Sequence, residues 1–183
     1  MSPESPASGE RPDSRIVAGA DALRRFFAGL VESTFQTELG LADPSLTDYL
    51  GDLLVRFTQW DAIFRLRTPD GARIEEVAGM LHEADQREGR PRRDGFRHVG
   101  DVALFYTGVY PERLRRRDAA DALLNVASVG KEAYRTAAQS PPVIQGPPDE
   151  EDGPVLLRLA DEFEVCGVGL GRVRAEWEKL AAA

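Results

Sequence analysis

The stretch FRHVGDVALFYTGVY, residues 96–110, carries apolar side chains on nearly every face of a helix. One stripe recurs at steps of three or four residues and the faces beside it are also apolar: Phe96, Val99, Ala103, Tyr106 and Tyr110 form the stripe, with Val102, Leu104, Phe105 and Val109 beside it. A helix that is apolar all round is buried on most sides. The sequence therefore predicts a largely buried helix over about 91–110, at the centre of a bundle.

Five other segments carry apolar residues at helical spacing: about 21–40, 43–64, 74–89, 118–137 and 154–180. In the last of them the stripe from Leu156 to Leu180 keeps steps of three and four through three glycines, which predicts one long C-terminal helix. No segment has the alternation or the Val, Ile and Thr content of a strand. The expected fold is all-α, a single-domain bundle of about six helices.

Two segments are predicted to lie outside the bundle. Residues 1–15 hold three prolines and no large apolar side chain, so burial cannot offset the entropy of ordering them, and a disordered tail is expected. Residues 140–153 hold four prolines, two glycines and four acids, and are predicted to form an exposed loop. The helical domain is then expected to cover residues 16–183.

The composition excludes several classes of protein. A net charge of −8 disfavours binding to nucleic acid. No apolar run approaches the roughly 18 to 20 residues that span a bilayer. The single cysteine cannot form an internal disulfide and no basic, apolar leader opens the chain, so we expect a cytoplasmic protein. All but two of the 23 Lys and Arg residues are arginine, a bias typical of GC-rich bacterial genomes.

Arginine is concentrated at the two ends of the predicted central helix. Nine arginines lie between Arg87 and Arg117, against four acids. The interpretation that needs no binding role is a solvated surface, with the acidic segment 149–152 as an internal partner. The alternative is an acidic protein partner or a phosphate-bearing ligand. Since no aromatic residue interleaves with these arginines to stack on bases, nucleic acid remains disfavoured.

The polar residues of the central helix are the candidate site. His98 and Asp101 are three residues apart and so share one helix face, on which Gly108 leaves room for a backbone or a ligand. A buried imidazole beside a carboxylate is typical of a general base. The pair also suits a ligand site, or a structural network in which Asp101 binds an arginine such as Arg65 or Arg67.

Neither a metal nor a cofactor is expected. The residue three before each histidine is glycine, so the Glu-x-x-His spacing of di-iron bundles is absent. The chain has only two histidines and one cysteine, and Cys166 falls on an apolar stripe, where cysteine commonly packs as a small hydrophobe. The sequence also lacks a Walker loop, a Gly-x-Ser-x-Gly elbow and a His-Glu-x-x-His motif.

The pattern RHxGDxxLFxxGxYPE, from Arg97 to Glu112, resembles a family of uncharacterised bacterial all-helical proteins. Residues 49–57, 130–134 and the FExCxxGL block at 163–170 are similar to other parts of that family. The resemblance covers most of residues 40–180 and implies an all-helical fold. Because no activity is assigned to the family, it implies no catalytic role, but it adds Glu112 to the candidate site residues.

Two functions are consistent with these features. The first is a non-catalytic cytoplasmic interaction or scaffolding protein that self-associates through the helix at 156–180. The second is a small-molecule-binding protein or enzyme whose pocket lies beside His98, Asp101, Tyr106 and Tyr110, with a cavity against Gly108. The first is favoured because no catalytic signature accompanies the heptad-phased C-terminal helix.

Overall fold

The computed structural model describes residues 14–115, 119–140 and 153–182. The predicted tail up to residue 13 and most of the predicted loop, residues 141–152, lie outside the described residues. Ser14 and Arg15, placed in the tail by the sequence, form the start of the first helix instead.

The fold is all-α, as predicted. The described residues form nine helices: α1 (Ser14–Ser33), α2 (Pro44–Phe57), α3 (Trp60–Ile63), α4 (Val77–Asp85), α5 (Gly89–Gly108), α6 (Pro111–Arg115), α7 (Ala119–Gln139), α8 (Gly153–Asp161) and α9 (Phe163–Ala182). A π-helical segment, Thr34–Glu38, continues α1. Within the described ranges the only β-type pairing is an isolated bridge between Arg67 and Arg73. There are more than six helices because two predicted helices are each divided and α6 is separate.

Helix α5 is the buried centre of the bundle, as its sequence predicted. Every residue from 98 to 106 is buried, and the helix packs against α4, α7 and α9. Two glycines permit this packing. A Cβ atom at Gly100 would lie 2.6 Å from a ring carbon of Tyr134, and one at Gly108 would lie 2.8 Å from the carbonyl oxygen of Gly167. Both distances are too short for any larger residue, so these glycines set the spacing of α7 and α9 from α5.

Helix α2 begins at a cap that the sequence makes explicit. The Asp43 carboxylate accepts a hydrogen bond from the backbone N–H of Leu46 at 3.2 Å, and Pro44 occupies the first turn. The carboxylate satisfies a backbone donor that has no partner within the helix, and proline has no N–H there to satisfy. The apolar face of α2 then packs into the core.

The predicted helix from 43 to 64 is interrupted at Thr58 and Gln59. The Thr58 hydroxyl donates to the carbonyl of Val55 at 2.6 Å, and Gln59 adopts an extended conformation. Such a side-chain bond competes with the helical backbone pattern. The interruption produces the short helix α3, whose end at Ile63 is buried beneath α5 and contacts His98.

The long C-terminal helix is interrupted at Glu162, between α8 and α9, and not at the glycines. Helical hydrogen bonds still cross this interruption, from Glu162 N to Arg158 O at 2.9 Å and from Cys166 N to Glu162 O at 2.8 Å. The predicted apolar stripe faces the core through its buried members: Leu156, Leu159, Phe163, Cys166, Leu170 and Val173. The stripe therefore serves the intramolecular core over most of its length.

Candidate functional site

The Asp101 carboxylate is the centre of a buried polar network. Its Oδ1 atom accepts hydrogen bonds from the hydroxyls of Tyr49, at 2.7 Å, and Tyr134, at 3.0 Å. Its Oδ2 atom lies 3.1 Å from Nη2 of Arg56. Asp101 is only 2% exposed, so these three contacts replace the water that a carboxylate requires.

Three helices bring these residues together. Tyr49 and Arg56 are seven residues apart on α2, which places them on one face two turns apart. Tyr134 comes from α7 and lies against Gly100, next to Asp101 in the chain. The network therefore links α2, α5 and α7 at the middle of the bundle.

The donors around Tyr49 and Tyr134 show where the hydroxyl hydrogens of this network point. The Nε–H of Arg97 donates to the Tyr49 hydroxyl oxygen at 3.0 Å, so the hydrogen of that hydroxyl is free to point at Asp101. Burial, followed by the charge of Asp101, raises the pKa of both Tyr49 and Tyr134. Both tyrosines thus remain protonated donors, and Asp101 acts as the acceptor.

Arg56 is held in the network incompletely. Its Nε and Nη2 atoms are buried and make no well-aligned hydrogen bond, although Nη2 forms an ion pair with Oδ2 of Asp101 at 3.1 Å. Burial is the largest single influence and lowers the pKa of Arg56, but the charge of Asp101 and the interactions with Tyr49 together outweigh it, so the pKa is raised. Its guanidinium lies over the ring of Tyr49, 5.5 Å from the ring centre. Arg56 is therefore a charged residue with hydrogen-bonding capacity still to be filled.

The general-base interpretation requires a hydrogen bond between His98 and Asp101, but the ring of His98 makes a different one. Its Nε2 atom lies 3.0 Å from the carbonyl oxygen of Ile63. The ring also packs edge-on against Phe57. Burial, and then the charge of Arg65, lower the pKa of His98 to about 4. The imidazole is consequently neutral at neutral pH.

Arg65 lies beside this imidazole, at the end of α3. It donates from Nη2 to the backbone carbonyl of Asp94 at 3.0 Å. Desolvation of its guanidinium lowers its pKa, and the charges of Arg56 and Arg97 act in the same direction, against Asp101 and Asp94. Arg65 is thus held near two other cations.

Two clefts open beside the network and share Val55 and Arg56. The smaller one, which we call the α3 cleft, has a volume of about 240 Å³ and is lined by Val55, Arg56, Phe57, Gln59, Ala62, Arg65, His98 and Asp101. Its floor is formed by the buried residues His98 and Asp101, and Gln59 and Arg65 are exposed at its mouth. The larger cleft, about 600 Å³, lies along α2 and is lined by Arg24, Ser45, Asp48, Tyr49, Asp52, Val55, Arg56, Arg97, Pro154 and Val155. We regard the α3 cleft as the candidate site because buried polar groups form its floor.

The other predicted site residues lie elsewhere. Tyr106 lines a separate cleft of about 340 Å³, where the guanidinium of Arg113 stacks on its ring. Tyr110 and Glu112 both contact Arg174, which lies over the Tyr110 ring and is 2.7 Å from the Glu112 carboxylate. The structure therefore brings together His98 and Asp101 but distributes the remaining candidates over two other places.

The cavity predicted against Gly108 lies on the side facing α9. A groove of about 420 Å³ passes Gly108, Phe163, Gly167 and Gly171, and its lining is mostly apolar. Neither His98 nor Asp101 lines it.

The sequence did not single out Arg56 as a site residue, nor give roles to Tyr49, Arg97 and Tyr134. One available signal was a tyrosine on the apolar stripe of α2, because a buried hydroxyl needs an acceptor. The sequence offers Arg65 or Arg67 as the partner of Asp101, but Arg56 makes that contact.

No metal centre emerges from the described part of the chain: among residues 14–115, 119–140 and 153–182 no three His, Cys, Asp or Glu side chains are grouped to hold an ion. Cys166 is buried, and burial raises the pKa of its thiol to about 12, so it is not a nucleophile at neutral pH. No helix within the same ranges has the length and apolar character needed to cross a membrane.

Comparison with known proteins adds no relative to this picture. The chain matches no family model, no curated protein and no solved structure.

Proposed function

We propose that this protein binds a small anionic molecule in the α3 cleft. The observation that carries the proposal is Arg56, which lines the cleft and whose buried Nε and Nη2 atoms make no well-aligned hydrogen bond beyond the ion-pair contact of Nη2 with Asp101. Leaving buried donors unsatisfied costs about 1 to 3 kcal/mol, and more for charged groups. A carboxylate or phosphate oxygen is the acceptor that guanidinium binds best.

The charge of the cleft supports the same ligand. Arg56 and Arg65 line it against a single carboxylate, Asp101, and His98 is neutral, so the lining carries one excess positive charge. The Oδ1 atom of Asp101 is already occupied by two tyrosine hydroxyls. A monoanion would neutralise the excess.

The size and remaining lining of the cleft favour a compact molecule. A volume of about 240 Å³ is smaller than the roughly 300 to 1,000 Å³ of drug-sized ligand sites. Val55, Phe57 and Ala62 supply apolar walls. A small organic acid fits these walls better than a bare inorganic ion, which would leave them without a partner.

The test is a titration with acetate and with phosphate, followed by NMR of the backbone amides at constant ionic strength. We expect acetate to shift the resonances of residues around the cleft. Because a charge-assisted hydrogen bond is worth about 1.5 to 3 kcal/mol, Arg65→Gln should weaken binding about tenfold or more.

Arg135→Gln is the matched control, since Arg135 is a part-exposed arginine that pairs with Asp161 on another face of the molecule. It should bind acetate like the wild type. The proposal fails if neither anion shifts the cleft resonances, or if Arg65→Gln binds as well as the wild type does.

A second candidate function, a cytoplasmic protein that associates with itself through α8 and α9, has its own support. Leu157, Val165 and Val168 are exposed on these helices, Val168 by 53%. We infer that a second copy would cover these residues, not the stripe that packs in the core. Light scattering across a concentration series should show a dimer that Val168→Asp dissociates, and a monomer at every concentration would contradict this function.

An acidic protein partner for the arginine segments is the remaining proposal, and the structure offers it less support. Arg87 and Arg92 already pair with Glu83 and Asp85. Arg113 is stacked on Trp60 and Tyr106.

A further inference from the structure

The hydrogen bond of His98 fixes which nitrogen of its ring carries the hydrogen. Nε2 lies 3.0 Å from the Ile63 carbonyl oxygen, which can only accept. The hydrogen must therefore be on Nε2, and in a neutral imidazole the other nitrogen, Nδ1, then has a lone pair. His98 is thus an acceptor as well as a donor.

A second acceptor lies in the same floor. Both tyrosines bind Oδ1 of Asp101, while Oδ2 has the ion-pair contact with Arg56 and keeps a lone pair for a further donor. The floor of the α3 cleft therefore combines an imidazole and a carboxylate that can accept, with two guanidinium groups that can only donate. The molecule that complements this set has an anionic group and also a hydrogen-bond donor.

The charge of the cleft decides what kind of donor this is. An ammonium group would lie near the guanidinium groups of Arg56 and Arg65, and a zwitterion would leave the excess positive charge unbalanced. A hydroxyl donates without adding charge. A monoanion with a neutral hydroxyl neutralises the excess charge and supplies a donor to this floor.

We propose that the ligand of the α3 cleft is a small hydroxy acid, whose carboxylate binds between Arg56 and Arg65 and whose hydroxyl donates to Nδ1 of His98, beside Oδ2 of Asp101. This inference rests on the proposed function and names the class of anion. It assigns His98 to recognition of the ligand, whereas a purely structural role would end at its bond with Ile63.

The experiment compares acids that differ only in the donor. Lactate is compared with propionate, and 2-hydroxybutyrate with butyrate. Alanine carries an ammonium group where lactate carries its hydroxyl. We expect each hydroxy acid to bind about tenfold tighter than its partner, since a site that pairs with a hydroxyl disfavours the analogue that lacks it. Alanine should bind more weakly than lactate.

The variant His98→Gln separates recognition from packing. A glutamine amide can still donate to the Ile63 carbonyl, but its own acceptor, Oε1, does not occupy the position of Nδ1. We expect it to remain folded and to lose most of the preference for lactate over propionate. Arg65→Gln should instead weaken lactate and propionate together.

The nitrogen spectrum of the imidazole rings gives a readout that does not depend on affinity. The chain has two histidines, so His82→Gln assigns both sets of signals. At neutral pH we expect His98 in the form with hydrogen on Nε2, and lactate should shift its Nδ1 signal more than propionate does.

The outcomes separate the hydroxy-acid inference from the proposed binding of an anion. If lactate and propionate bind equally well, or if the hydrogen of His98 is on Nδ1, the hydroxy-acid inference is overturned while anion binding stands. If none of these acids binds and acetate and phosphate also fail, the proposed function itself is overturned.

Discussion

The Tyr134 hydroxyl donates a hydrogen bond to Oδ1 of Asp101 at 3.0 Å, and its ring fills the space that Gly100 leaves beside that aspartate. One tyrosine thus satisfies a buried carboxylate and also determines how closely α7 approaches α5. The polar network and the packing of the bundle therefore depend on the same contact.

Replacing the carboxylate should be costly. Asp101→Asn removes the charge that compensates Arg56 and gives the two buried tyrosine hydroxyls a neutral amide oxygen in place of a charged acceptor. Removing one member of a buried ion pair typically costs about 3 to 5 kcal/mol, so we expect a loss of about 3 kcal/mol in the free energy of unfolding. Urea denaturation measures it. Asp161→Asn, in an exposed pair with Arg135, should cost less than about 1 kcal/mol.

The two tyrosines should contribute unequally. Tyr134→Phe removes one hydrogen bond to Asp101 and should cost about 1 kcal/mol. Tyr49→Phe removes a bond to the same oxygen and also the acceptor of the Arg97 Nε–H, so a larger loss is expected. Denaturation of both variants, alone and combined with Asp101→Asn, forms a double-mutant cycle. Equal losses, or losses that add without coupling, would contradict the network described here.

Gly100 should not tolerate a methyl group. The added Cβ would lie 2.6 Å from the ring of Tyr134, which is fully buried. We expect Gly100→Ala to destabilise the protein by about 1 to 3 kcal/mol through overpacking, measured by thermal unfolding.

Gly29→Ala tests the same substitution in α1, at an exposed site where nothing lies within 4 Å of the new methyl group. It should stabilise the protein by about 0.5 to 1 kcal/mol, because alanine favours the helix. Gly100→Ala as stable as the wild type would show that α7 can shift away from α5.

What the sequence could predict depended on whether the information was local. The burial of α5 follows from apolar residues on all its faces, and the start of α2 follows from Asp43 and Pro44. Both features are determined within a few residues. The interruption at Thr58 was not predicted, because the apolar spacing continues through it to Phe64.

The contacts of the candidate site could not be predicted from local sequence patterns. Arg56 and Tyr49 lie on α2 and Tyr134 on α7, so which of them meets Asp101 depends on how three helices pack. Periodicity shows which face of a helix is buried, but not which residue it meets. Tyr106 was grouped with His98 because both lie on α5, yet eight residues separate them by about 12 Å along the axis.

The stability of the protein should depend on pH through His98. Its folded pKa is about 4, against about 6.5 in an unfolded chain, because burial and then the charge of Arg65 disfavour the imidazolium. Between pH 6.5 and pH 4 the imidazole of His98 is therefore mostly protonated in the unfolded chain and mostly neutral in the folded protein. This contribution is fully present above about pH 6.5 and is lost as the pH falls towards 4, by up to about 3 kcal/mol. Since carboxylates also titrate in this range, the measurement is the difference between wild type and His98→Gln in urea denaturation at pH 7 and pH 5. The wild type should lose more stability than His98→Gln between these two pH values. Equal losses in the two proteins would contradict the assignment of a neutral, buried His98.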